Sequence, residues 1–126
     1  MVLVDTDILI DVSRNIETAI IRLEIEEQKS QITISAITQM ELIVGCRNKL
    51  ELGHLKRFLS RYKTVQIDEN ISALTVELIK TYRLSHGLLM PDAFIAATAI
   101  IGNLPLLTKN QSDYRFISEL NLLSYP

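Results

Sequence analysis

Soft-metal ligands are scarce in this 126-residue chain, which has one cysteine and two histidines. Cys46 has no partner for an intrachain disulfide, in keeping with a reducing cytoplasm. His54 and His86 have no partners at ligand spacing, so zinc is not expected. Tryptophan is absent, and three prolines and four glycines leave no linker or low-complexity tract. With 48% hydrophobic and 22% charged residues, disorder is excluded and residues 1–126 read as one domain around one core. The longest apolar stretch, 93–101, is too short to span a bilayer, and the apolar start stops at Asp5, short of a signal-peptide core. A cytoplasmic protein with no membrane partner is the expectation. No G-x-G-x-x-G, P-loop or G-x-S-x-G occurs, so nucleotide-dependent and serine-hydrolase chemistry has no support.

What is present is arranged in strands and helices that alternate. Residues 2–4, 31–34, 64–67, 105–107 and 122–123 read as short strands. Helical patterns cover 8–14, with Thr6 or Asp7 as cap, then 16–29, and 36–44 capped by Ser35 and ended by Gly45. They continue over 50–62, over a long helix from Asp68 to Gly87, and from Pro91 to Gly102. Asp113 begins a last short helix. This alternation predicts an α/β fold, a three-layer α/β/α sandwich on a short parallel sheet. Sites in such sheets form beyond the carboxyl ends of the strands, where Asp5 and Thr108 fall.

Four acids stand in apolar surroundings. Asp5 ends the first strand, where a carboxylate can bind a divalent cation or act as a nucleophile. Glu41 shares a helical face with Ile37 and Val44, which predicts a carboxylate on a core-facing stripe in need of a cation or several donors. Asp92 follows Pro91 in a first turn; the helix dipole alone favours an acid there, and its weight comes from its company. Asp113 closes the polar run Thr108-Lys109-Asn110-Gln111-Ser112, either as a fourth acid or as a helix cap. Asp7 reads as a cap or a support, and Asp11 as a surface residue. Oxygen-only ligands select Mg²⁺ or Mn²⁺. Between residues 47 and 63, six Lys and Arg face the single acid Glu51, leaving the rest of the chain net acidic. Lys49, Lys56, Arg57 and Arg61 of this strip are candidates to hold a polyanion. An acidic cation cleft beside a basic strip suits cleavage of a nucleic-acid phosphodiester.

The order Val-Asp-Thr-Asp-Ile-Leu-Ile-Asp, Ser-Ala-Ile-Thr-Gln-Met-Glu-Leu-Ile-Val-Gly, Pro-Asp-Ala-Phe-Ile-Ala-Ala-Thr-Ala and Leu-Leu-Thr-Lys-Asn-Gln-Ser-Asp-Tyr resembles the PIN domain. It is similar in particular to the VapC ribonuclease toxins of prokaryotic toxin–antitoxin pairs, over the whole chain. The resemblance implies that Asp5, Glu41, Asp92 and Asp113 form the metal site, with Thr108 and Asn110 as its polar loop positions. It also implies an Mg²⁺- or Mn²⁺-dependent endoribonuclease, an RNA substrate, a cognate antitoxin and a homodimer. Two departures are Asp7, where the family often has Asn or Ser, and Tyr114, where it has Phe. Apolar residues on the helices from Glu17 and Leu50 suggest a groove between them for a partner helix.

Two other classes share part of the pattern. Asp5-x-Asp7 after a strand also occurs in haloacid-dehalogenase-like phosphatases, which need a late acidic pair. A receiver-like signalling module would need an acceptor Asp at a central strand end, and Asp68 is the only candidate.

Overall fold

Val2, Leu3 and Val4 are fully apolar and buried on both sides, as a central strand of a parallel sheet must be. In the computed structural model, which describes residues 1–126, they form β1 (Val2–Val4). Two helices, α1 (Thr6–Ser13) and α2 (Glu17–Lys29), lead to β2 (Ile32–Ser35). Next come α3 (Ala36–Val44), α4 (Lys49–Leu59), β3 (Lys63–Val65), α5 (Glu69–His86), α6 (Met90–Ile101) and β4 (Leu106–Leu107). A 3-10 turn, Gln111–Asp113, follows. The strand order is β3-β2-β1-β4, all parallel. Leu3 pairs with Thr33 on one side and Leu106 on the other, so β1 is central.

Alternation along β1 divides the core in two. Leu3 and Leu106 face α5 and α6, packing with Ile71, Leu78, Ala93 and Ala96. Val2, Val4 and Leu107 face the opposite layer, with Ile8, Leu9, Ala19, Leu23 and Leu59. Each fully buried aliphatic side chain contributes roughly 1.5–3 kcal/mol. Ala93, Ala96 and Ala97 are almost completely buried, and their small size lets α6 lie close to the sheet and to α5. The three-layer parallel α/β reading from sequence holds.

The capping signals hold in part. Ser35 accepts the Ile37 N–H, Asp68 accepts the Ile71 N–H at 2.8 Å, and Gly87 closes α5 at φ 72°. The cap of α1, however, is Asp5 rather than Thr6 or Asp7. The third strand lies at 63–65, earlier than expected, and Leu122 makes a single bridge to Leu106 in place of a full strand. Asp113 ends its 3-10 turn instead of beginning a helix. Asp11 is buried, not superficial, because Lys109 Nζ holds its Oδ2 at 3.0 Å.

Candidate active site at the carboxyl edge of the sheet

The carboxyl ends of β1 and β4 bring together side chains 103 residues apart. Asp5 Oδ1 accepts the Thr6 N–H at 2.8 Å, and Asp5 Oδ2 accepts the Thr108 hydroxyl at 2.8 Å. Asp7 Oδ2 accepts the Asn110 N–H at 3.1 Å and lies 3.2 Å from the same Thr108 hydroxyl. A hydroxyl carries one proton, so Thr108 gives it to the nearer Asp5. Asp7 Oδ1 is buried with no hydrogen-bond partner. The Asn110 side chain makes no hydrogen bond; only its backbone is used, the N–H toward Asp7 and the carbonyl accepting the Asp113 N–H at 3.0 Å.

The other acids arrive from three further segments. Thr6 Oγ1 donates to Glu41 Oε1 at 2.7 Å and lies 2.9 Å from Thr38 Oγ1, so α1 reaches across to α3. Of the stripe expected through Ile37, Glu41 and Val44, only Ile37 packs against the core. Only Ala36 and Thr38 of α3 are buried, Glu41 is exposed, and Val44 is 84% exposed. Glu41 is a cleft residue because Thr6 holds it there, and the later turns of α3 stay open to solvent. Asp92 sits in the first turn of α6, and its Oδ1 accepts the Tyr114 hydroxyl at 3.1 Å. Asp113 is exposed at the rim.

The electrostatics tie these groups together. Burial, then the Asp7 carboxylate, pushes Asp5 up to about 7. Burial also raises Asp7. Asp92 is pushed up to about 6, first by burial and also by Asp113, Glu41 and Asp7, against the Tyr114 hydrogen bond. Burial, with Asp5 and Asp92 nearby, drives the Tyr114 phenol far above its ordinary value, so it stays a neutral donor. No three acids already stand at the spacing of a ready-made ligand set. Asp5, Asp7, Glu41 and Asp92 each accept from a donor of their own, and their charges repel.

The donor set nevertheless fits a hard divalent cation. It is all carboxylate and hydroxyl oxygen, and the buried Asp7 Oδ1 has no hydrogen-bond partner in the protein, where such an atom requires a donor, a proton or a cation. Asp5, Asp7, Glu41 and Asp92 are the acids whose charges act on one another here, with Asp113 at the rim. Sequence reasoning missed Thr6, which was read only as a cap. It also passed over the Tyr114 hydroxyl, although a buried tyrosine needs a partner for its O–H.

A groove of about 790 Å³ runs beside the acids, lined by Leu9, Val12, Leu42, Leu55 and Phe58, with Glu41 in its wall. It lies between α1, the end of α3 and α4, not between α2 and α4 as expected. Within the basic strip, Arg61 is ion-paired with Glu27 at 3.2 Å and Arg47 with Glu51 at 2.9 Å. Lys49, Lys56 and Arg57 are exposed without ion pairs. Asp68, the acceptor a receiver-like module would need, stands after the edge strand β3 and is spent capping α5. No late acidic pair supports a phosphatase.

Fold and site together define a parallel α/β domain with an acidic cleft at the carboxyl edge of its sheet. The PIN domain family model matches residues 2–117. Ribonuclease VapC1 of Methanocaldococcus jannaschii is 35% identical, covering 98% of this chain and 86% of that protein. Ribonuclease VapC19 of Mycobacterium tuberculosis is 34% identical over 95% and 97% of the two chains. A toxin–antitoxin complex from Klebsiella pneumoniae contains a chain with TM-score 0.79 and 31% identity, covering 98% of this chain and 97% of that one. VapBC2 of Rickettsia felis, bound to a DNA fragment from their promoter, gives TM-score 0.82 at 25% identity over 100% of both chains. The chain belongs to the PIN domain family. No helix is long and apolar enough to cross a membrane.

Proposed function

We propose that this chain is a metal-dependent endoribonuclease, the toxin of a VapBC-type pair, acting in the cytoplasm on RNA phosphodiesters with Mg²⁺ or Mn²⁺. The observation that carries the reading is the gathering of Asp5, Asp7 and Asp92 at one sheet edge, one buried oxygen having no partner. The names of the relatives agree with it.

An RNA phosphodiester is an anion, so a cleft of ionised carboxylates repels it. Asp5, Asp7, Glu41, Asp92 and Asp113 would hold the cation, which when bound offsets that repulsion, acidifies water and stabilises the departing oxygen. Thr108 fixes Asp5, Thr6 fixes Glu41, and Tyr114 fixes Asp92, so the carboxylates are oriented before substrate arrives. Cleavage of a labelled single-stranded RNA should stop with EDTA and return with Mn²⁺ or Mg²⁺. Full activity in EDTA would end this reading.

The antitoxin would lie in the groove between α1 and α4, covering Glu41 and with it the mouth of the cleft. Exposed Met40, Ile43 and Val44 share one face of α3, an apolar surface suited to a second copy of the chain. Lys49, Lys56 and Arg57 would hold the RNA backbone, with Arg61 a lesser contributor because Glu27 competes for it. In a cleavage-dead background, Lys56→Ala with Arg57→Ala should lower the salt slope of RNA binding by about 1.4, at about 0.7 per phosphate contact. Fluorescence anisotropy across a salt series reads this. An unchanged slope would reduce the strip to a solvated helix face.

A further inference from the structure

The segment after β4 supplies two hydroxyls to two different carboxylates. Thr108 donates to Asp5 Oδ2 at 2.8 Å, and Tyr114 donates to Asp92 Oδ1 at 3.1 Å. Thr108 and Tyr114 are both fully buried, so neither hydroxyl can exchange its partner for bulk water. The segment between them is itself locked. The Gln111 side-chain amide donates to the carbonyls of Thr108 at 2.8 Å and Leu123 at 3.1 Å, and the Tyr114 carbonyl accepts the Ile117 N–H at 3.0 Å. The tyrosine ring belongs to the core layer of α5 and α6, where the ring alone would fill the space. The hydroxyl is therefore the part of Tyr114 that packing does not account for.

Resting on the cation-site reading above, we propose that Tyr114 is a positioning residue for Asp92. It holds Oδ1 through the hydroxyl and leaves Oδ2 as the oxygen offered to the divalent ion. The separation of Asp5 from Asp92 is then set by one rigid segment, since its two ends grip one carboxylate each. The phenol has one proton and no charge, so it orients Asp92 without competing as a cation. A lysine or arginine at this place would neutralise the acid and displace the ion. Partners of this kind, which orient a ligand without touching the metal, typically account for about 10- to 100-fold in affinity.

Tyr114→Phe removes one oxygen and keeps the ring. Titration of the metal-free, full-length protein with MnCl₂ in a calorimeter should give a Kd about tenfold weaker for Tyr114→Phe than for the wild type. The melting temperature without metal should stay near the wild-type value, while its rise on adding Mn²⁺ becomes smaller. In RNA cleavage, the Mn²⁺ concentration for half-maximal rate should shift by the same factor, with kcat recovering at saturating Mn²⁺. A purely structural role would move the metal-free melting temperature and leave the Mn²⁺ Kd alone. Equal Mn²⁺ affinity in the two proteins overturns the role of Tyr114 and leaves the cation site standing. A wild type that binds no Mn²⁺ overturns both.

Discussion

Asp92→Asn and Asp5→Asn should each lower kcat/KM for RNA cleavage roughly a thousandfold or more, because on the proposed cation site each removes a charged ligand oxygen. Asparagine has the same shape as aspartate, so the packing of the first turn of α6 and the cap of α1 survive. The two acids carry charge that burial opposes, at about 7 for Asp5 and about 6 for Asp92. Taking away that charge removes repulsion within the cleft, so both variants should melt at or above the wild-type temperature in the absence of metal. Loss of activity with retained stability is the signature of a functional acid; loss of both is that of a structural one. Cleavage of an end-labelled RNA, run beside a thermal melt, separates the two. Wild-type rates in either variant would sink the site assignment.

Metal-free protein loses stability as pH rises from about 5 to about 8, and divalent ions restore it only at the upper end. The sign follows from linkage. Both carboxyls have folded values above the ordinary 3.8, so between that value and about 6 to 7 the folded state binds more protons than the unfolded state. Stability from these groups is greatest below 3.8 and falls as pH rises through their folded values. Above about 7 both must be ionised in a buried, mutually repelling cluster, and a cation then stabilises the fold by mass action. The melting temperature should therefore fall by several degrees across this range without metal, for a chain of this size. At pH 8 Mn²⁺ should recover most of the loss, and at pH 5 it should do little because protons occupy the same oxygens. A melting temperature indifferent to Mn²⁺ at pH 8 would contradict the cation site. Asp5→Asn should flatten the metal-free curve, since it removes the larger of the two shifts.

Much of the site was legible because it rests on local rules. A short apolar run followed by Asp5, and a second followed by Thr108, sufficed to place both at the carboxyl edge of a parallel sheet. Ser35, Asp68 and Gly87 carried their capping roles in their own chemistry. The rest depended on contacts between distant segments. Helical spacing put Glu41 in line with Ile37 and Val44, but spacing cannot say which face of a short helix meets the core. The structure buries Ala36 and Thr38 instead, and Glu41 owes its position to Thr6. Asp11 looked superficial for the same reason: its partner Lys109 lies 98 residues away. Tyr114 carried a signal that pattern reading passed over, a polar atom at the end of a buried ring.

The pairing of β1 with β4 also bears on how the protein is made. Synthesis proceeds from the amino end, and the first strand emerges with both of its neighbours, β2 and β4, still to be translated. Asp5 gains its Thr108 donor, and Asp92 its Tyr114 donor, only when the segment that begins at β4 has left the ribosome and paired with β1. Until then neither carboxylate has the hydroxyl that orients it. This topology makes the assembled cleft a late product of folding, dependent on the segment that pairs last with β1.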